Sequence, residues 1–309
     1  GDKVVIASVT DGSEGVLKYA QGFSEEVFSR GGDFVEASNT SNYKLLYELL
    51  RAEKESEGNI TWVLGPAVVF DYDTRNGLSR LAENGYVQAL LGGNAMATHD
   101  LEGGYLNTAL GQDIYTQESD PLGHYNHLDT LNAIRKVGSI DEFINEGNVR
   151  DGFVKTLNRL GVPITLAGSI RDDGPLPEVT GNVYDSLDNV RVATDKSNLI
   201  ICLATTLHSA STAETATSYR VDENGNIVPV FIFTVDVTEN AVRKVSAARE
   251  GIAVRTLVTN VQDFVVNLEK ELVPEEYLSY DEEHVYEVEE ASSEASIEDK
   301  KVMSQGREE

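Results

Sequence analysis

Apolar residues fall into two alternating patterns along this chain: short β-branched runs, and stretches with helical spacing. Lys3–Val9 is apolar and β-branched and closes at Asp11-Gly12-Ser13, and Val16–Arg30 has helical spacing stopped by Gly31-Gly32. Asn42–Lys54 sets Tyr43, Leu46, Tyr47 and Leu50 on one stripe, which predicts an amphipathic helix. Ile60–Val69 reads as a buried strand, Thr74–Glu83 as a helix ending at Asn84-Gly85, and Tyr86–Leu91 as the next strand. A mostly helical middle follows, with Asn94–Leu110, His127–Lys136, Ile140–Asn145 and Val149–Leu160 separated by glycine stops. Strands are then expected at Val162–Leu166, Leu199–Ala204, Ile227–Val235 and Ile252–Val258. Helices at Val183–Thr194, Glu239–Arg249 and Val261–Leu272 complete the series, and Asn224-Gly225 signals a small hairpin.

Continuous apolar strands alternating with helices predict an α/β fold, a parallel sheet with helices on both faces. No internal repeat is visible. The expected organisation is an N-terminal α/β segment over residues 1–58 packing on a main domain over 59–272, followed by an acidic tail over 273–309.

Charge narrows the partners. The chain carries a formal −27, and residues 271–309 hold 14 Asp and Glu against 3 Lys and Arg. Such a surface repels nucleic acid and anionic membrane, so neither is an expected partner. No apolar run reaches the length of a membrane helix and no basic-apolar signal segment opens the chain, which makes the cytoplasm the expected location. The single cysteine, Cys202, excludes an internal disulfide and a cysteine zinc cluster, and its apolar run Leu199–Leu203 reads as core.

Candidate chemistry gathers at strand ends. Gly92-Gly93-Asn94-Ala95, Ser169–Pro177, Thr205-Thr206-Leu207-His208-Ser209 and Asp236 each follow an apolar run and precede polar or helical sequence. Glycines admit close backbone approach, a helix N-terminus offers free N–H groups to phosphate, and an Asp at a strand tip suits a ribose hydroxyl pair. Together they suggest a dinucleotide site, although no Gly-x-Gly-x-x-Gly fingerprint or P-loop is present. Each piece also has a structural reading: Gly92-Gly93 as a tight turn, Asp236 as a helix cap, His208 as a local donor. The loop Ser169–Pro177 is stiffened by Pro175 and Pro177 and charged by Arg171, Asp172 and Asp173, which favours a site over a plain connector. His99-Asp100 and His124-x-x-His127 invite a metal reading, but no third ligand has sensible spacing, so no metal is expected. A Gly-x-Ser-x-Gly elbow is lacking, which argues against a serine hydrolase.

Five separated motifs occur in one family's order and with similar spacing: Gly65-Pro66-Ala67-Val68-Val69, Gly93–Asp100, Gly123-His124 with His127-Leu128, Ala167–Pro177 and Leu203–Ser209. Over roughly Asn59–Leu272 the chain resembles the archaeal-type NAD-dependent ornithine cyclodeaminases, the LOR/SDH conserved region that also forms the C-terminal domain of arginine dihydrolase/ornithine cyclodeaminases. The resemblance implies a Rossmann-like fold of the deoxyhypusine-synthase-like NAD-binding type, NAD as cofactor, a small amino-acid substrate and assembly as a homo-oligomer. It implies that Asn94, Ala95, Asp173, Thr205, Thr206, Leu207, His208, Asp236 and Val237 contact NAD. His99, Asp100, His124, His127, Arg171 and Asp172 are then candidates for the substrate side. The chain departs from the pattern at Phe70-Asp71-Tyr72, where the family usually continues His-Thr-Gly.

The implied activity converts L-ornithine to L-proline and ammonia by internal hydride transfer with the cofactor recycled. In that reading Arg171 suits the substrate carboxylate, Asp172 the δ-ammonium, and His99, His124 or His127 the proton transfers. The alternatives are another NAD-dependent amino-acid dehydrogenase of the same fold and a non-catalytic NAD-binding regulator.

Overall fold

The computed structural model describes residues 40–169, 174–221, 225–247, 249 and 253–274. The expected Lys3–Val9 strand, the Val16–Arg30 helix, Asn224 of the hairpin signal and the tail beyond residue 274 lie outside the described residues. Within them, α1 (Thr40–Glu55) leads to β1 (Ile60–Leu64), a short 3-10 turn (Pro66–Val69), α2 (Tyr72–Glu83), β2 (Ala89–Gly93) and α3 (Asn94–Leu106). A two-residue ladder, β3 (Thr108–Ala109) with β4 (Gln112–Asp113), precedes a 3-10 turn (Gly123–Tyr125), α4 (Asn126–Val137), α5 (Ile140–Asn145), α6 (Phe153–Leu160) and β5 (Ile164–Ala167). Then come α7 (Val183–Thr194), β6 (Leu199–Leu203), α8 (Thr206–Thr215), the hairpin β7 (Tyr219–Val221) and β8 (Ile227–Pro229), and β9 (Phe231–Asp236). The last described elements are α9 (Glu239–Ala247), β10 (Val254–Val258) and α10 (Val261–Leu272).

Six strands form one sheet in the order β10-β9-β6-β1-β2-β5, and every neighbouring pair is parallel. The chain builds outward from β1 to β5, returns beside β1 as β6, and builds outward again to β10. That is the doubly wound order, with the reversal falling between β1 and β6. All five residues of β1, β2 and β6 are buried, which is why these strands read as unbroken apolar runs instead of alternating ones. Alternate side chains still go to opposite layers. Trp62, Leu64, Leu90, Ile201, Leu203 and Phe233 join the cluster under α1, α2, α3, α4, α6 and α10, whereas Val63, Leu91, Ile200, Cys202 and Ile232 join the one under α7, α8 and α9. Helix α1 belongs to the first layer: Leu46 and Leu50 are fully buried in it, and Arg51 pairs with Glu271 of α10. No helix among the described residues is long and apolar enough to cross a membrane.

Four expected elements change shape, each for a local reason. The strand expected over Ile60–Val69 stops at Leu64, because Pro66 has no N–H for the ladder and instead opens a 3-10 turn. The run Ile227–Val235 divides after Pro229 into an antiparallel hairpin strand and a parallel sheet strand. Asn94–Leu110 ends as a helix at Leu106, where Asn107 takes the left-handed conformation (φ 62°) that terminates helices. Val149–Leu160 becomes helical only from Phe153, after Gly152 at φ 127°.

Cys202 is fully buried, and burial pushes its thiol pKa up to about 12. The thiolate is the reactive form. The native protein should therefore resist iodoacetamide at mildly alkaline pH, and unfolding should release its single cysteine for modification, as mass spectrometry would count.

Candidate active site

The carboxyl ends of the parallel strands share one rim, and three glycines strip it of side chains at β2 and β5. Gly92 and Gly93 end β2, and Gly168 follows β5. Above them, between α7 and α8, lies a cleft of about 630 Å³ whose walls include Ala167, Leu187, Val190, Leu207 and His208. A Cβ at Gly93 would lie 2.6 Å from Cε1 of His208, so glycine there makes room for the imidazole. The ring is set by Thr205, the N-cap of α8: its Oγ1 accepts the His208 backbone N–H at 3.4 Å and lies 3.2 Å from Nδ1.

Asn94, buried at the start of α3, turns its side chain to the segment after β5. Its Oδ1 accepts the Leu176 N–H at 2.8 Å and its Nδ2 donates to the Gly174 carbonyl at 3.3 Å. The N-cap position of α3 is Gly93, with no side chain to occupy the helix's first N–H groups, and Ala95 in its first turn is exposed. Leu207 and Val237 are both 60% exposed, a cost for large apolar side chains that a ligand would relieve. Asp236 sits half-buried at the tip of β9, its Oδ1 3.4 Å from the Thr238 N–H. The residues expected from sequence at this rim, Asn94, Ala95, Thr205, Thr206, Leu207, His208, Asp236 and Val237, thus lie at the ends of β2, β6 and β9 or in the first turns that follow. Arg171, Asp172 and Asp173 lie outside the described residues.

A second cluster forms one turn further along α3. His99 meets Phe70 edge-on, ring centroids 5.5 Å apart at 85°, and His127 of α4 at 5.8 Å. Its Nδ1 is 2.7 Å from Oε2 of Glu102, a side chain fully sealed from solvent. The other Glu102 oxygen accepts from the Thr108 hydroxyl at 2.7 Å, and Thr108 Oγ1 accepts from Nδ2 of Asn126 at 2.8 Å. His127 Nδ1 lies 3.1 Å from the His124 carbonyl, and the exposed His124 ring packs on Tyr125 instead of joining the cluster. Glu102 was not among the candidates from sequence; the signal was its position three residues after His99, on the same helical face.

Asp100 takes a different place from the substrate-side one expected. It is 1% exposed, and its carboxylate accepts from Nε of Arg75 at 2.8 Å and from the backbone N–H groups of Phe153 (3.2 Å) and Val154 (2.7 Å). It therefore caps α6, whose own cap residue Gly152 has no side chain. Burial works against the Arg75 charge, but Asp100 and Asp151 outweigh it and hold the guanidinium pKa above its ordinary value.

A doubly wound parallel sheet with a glycine-floored cleft at its carboxyl rim, beside a helix start that no side chain caps, defines a Rossmann-fold domain whose candidate ligand site lies at the strand ends. A family model described as arginine dihydrolase ArgZ-like, C-terminal, Rossmann fold, matches residues 44–268, and the chain belongs to that family. It is 36% identical over 234 residues to an ornithine cyclodeaminase of Methanocaldococcus jannaschii, covering 74% of this chain and 52% of the relative. It is 35% identical over 225 residues to the bifunctional arginine dihydrolase/ornithine cyclodeaminase AgrE of Nostoc, covering 72% of this chain and 30% of that protein. The crystal structure of a conserved LOR/SDH protein from Methanococcus maripaludis superposes with a TM-score of 0.70 at 31% identity, covering 77% of this chain and 68% of that one. The ternary complex of AgrE with ornithine and NAD+ superposes with a TM-score of 0.66 at 33% identity, covering 74% and 32% respectively. The chain spans about half the length of the archaeal relatives it matches.

Proposed function

We propose that this chain carries the NAD-dependent step of an ornithine cyclodeaminase, converting L-ornithine to L-proline and ammonia. The observation that supports this most is the cleft at the ends of β2 and β5, floored by Gly92 and Gly168, walled by apolar side chains and bordered by the starts of α3 and α8. Those features fit an extended dinucleotide: free N–H groups for the pyrophosphate, apolar walls for a ring, and a strand-tip carboxylate for a ribose. Asn94, Ala95 and the Thr205–His208 turn would border the phosphates, Asp173 would join them, and Asp236 with Val237 would hold the adenosine side. Bound NAD supplies a hydride acceptor that is restored within each turnover.

In this reading Arg171 engages the substrate carboxylate, Asp172 the δ-ammonium, and His99, with His127 beside it, takes and returns protons, His124 lying at the exposed turn before α4. The match of the relative AgrE, whose structure holds ornithine and NAD+, supports the substrate class. The same reading makes the protein a cytoplasmic homo-oligomer acting between arginine and proline metabolism.

The test is to incubate the purified protein with NAD and L-ornithine and to follow proline, ammonia and NADH together. Equal proline and ammonia without net NADH is the expected result. Accumulating NADH would instead indicate a dehydrogenase, and NAD binding without product a regulator. Asp236→Ala should weaken NAD binding about 10–100-fold by calorimetry, the worth of a hydrogen bond to a charged group. Unchanged affinity would remove Asp236 from the cofactor site.

A further inference from the structure

Glu102 has no solvent contact, and a carboxylate in that position is costly unless every lone pair is engaged. The direction of the hydrogen bonds shows how it is engaged. The Asn126 Nδ2 amide nitrogen can only donate, so Thr108 Oγ1 accepts at 2.8 Å and turns its own hydrogen toward Glu102 Oε1 at 2.7 Å. That oxygen is therefore an acceptor, fixed in place by α4 and β3. The other, Oε2, is 2.7 Å from His99 Nδ1, and a carboxylate there requires the proton to sit on Nδ1.

From this relay we infer that Glu102 is a positioning residue: it locks His99 in the Nδ1-protonated tautomer and makes Nε2 the site's proton acceptor. Among the described residues, Nε2 takes no hydrogen bond, and the His99 side chain keeps 11% exposure. Phe70 packs edge-on against the ring and limits its rotation. Among the described residues, the groups that face His99 are Glu102 from its own helix, Phe70 from the turn after β1 and His127 from α4, and Glu102 is the one carboxylate among these. The neighbouring acid on α3, Asp100, is consumed by Arg75 and the α6 backbone. The chain Asn126–Thr108–Glu102–His99 thus spans three elements and ends on one imidazole nitrogen.

The inference rests on the proposed ornithine chemistry only for its kinetic half. Nitrogen-15 NMR of histidine-labelled protein reads the tautomer directly, without ligand. Wild type should show His99 protonated at Nδ1 with a basic Nε2, and Glu102→Gln should abolish that preference. A proton on Nε2 in wild type, or an unchanged tautomer in Glu102→Gln, overturns the inference whether or not the protein makes proline.

With ornithine and NAD, Glu102→Gln should lower kcat by about 10²–10⁴-fold, the range seen when the partner of a catalytic histidine is neutralised, with KM for ornithine little changed. Because Glu102 acts through His99, Glu102→Gln combined with His99→Gln should be no slower than His99→Gln alone. Multiplying losses would show that Glu102 acts elsewhere. Thr108→Val, which keeps volume and removes only the relay donor, should give a smaller kcat loss in the same direction, and no loss would break the relay. Absence of product from wild type, with the tautomer as stated, would dismiss the ornithine reading and leave the positioning of His99 standing.

Discussion

Asp100→Ala should destabilise the protein by about 3–5 kcal/mol, the cost of leaving one member of a buried ion pair behind. Asp100 and Arg75 are each 1% exposed, so the guanidinium cannot turn to water when the carboxylate goes. Two further donors lose their acceptor with it, the N–H groups of Phe153 and Val154 at the start of α6. At about 2–4 °C per kcal/mol for a domain of this size, the melting temperature should fall by roughly 10 °C. Trp62, the only tryptophan and fully buried with its indole N–H on the Tyr86 carbonyl at 2.8 Å, gives a fluorescence signal for the transition. Asp100→Asn should be nearly as damaging, since one amide oxygen replaces a carboxylate where three donors converge. A substrate-binding Asp100 would behave in the opposite way, with Tm preserved and activity lost. That outcome would restore the role expected from sequence.

The pattern of strands was legible because burial on both faces writes itself as unbroken apolar runs, as in Leu199–Leu203. The rim was legible for a related reason: glycines and short polar residues directly after such runs, as at Gly92-Gly93-Asn94, have few structural uses in common. What the sequence could not disclose was partnership across distance. Arg75 lies on α2 and its carboxylates Asp100 and Asp151 come 25 and 76 residues later, a relation that no local spacing records. Asp100 next to His99 looked like chemistry because adjacency in sequence resembles adjacency in a site. On a helix, successive residues point about 100° apart, so the true companion of His99 is Glu102, one turn along.

The glycine after β1 carries the second large effect. Gly65→Ala should cost about 3 kcal/mol or more, at the upper end for forcing extra atoms into a packed interior. The reason is not backbone conformation, since Gly65 is extended at φ −93°. A Cβ there would lie 1.9 Å from the Ala204 carbonyl oxygen and 2.6 Å from its carbon, and neither atom can swing aside as a side chain would. Gly65 is held by its N–H on the Leu203 carbonyl at 2.8 Å, and Ala204 by its N–H on the Val235 carbonyl at 3.1 Å. Ala204 is itself in the left-handed region at φ 51°, so it has little conformational room left to yield. The clash must open the sheet between β1 and β6, where its winding reverses, and displace Thr205 at the start of α8. Stability and, on the proposed reading, NAD affinity should therefore fall together, read by denaturant unfolding of the Trp62 signal and by calorimetry. Gly85→Ala is the matched control: its φ of 80° imposes a strain of about 1–2 kcal/mol, but the nearest atom is 3.9 Å away on the flexible Lys54. It should lower stability modestly and leave NAD affinity unchanged. Equal effects from the two substitutions would mean that the close approach of Gly65 to Ala204 is not what shapes the rim.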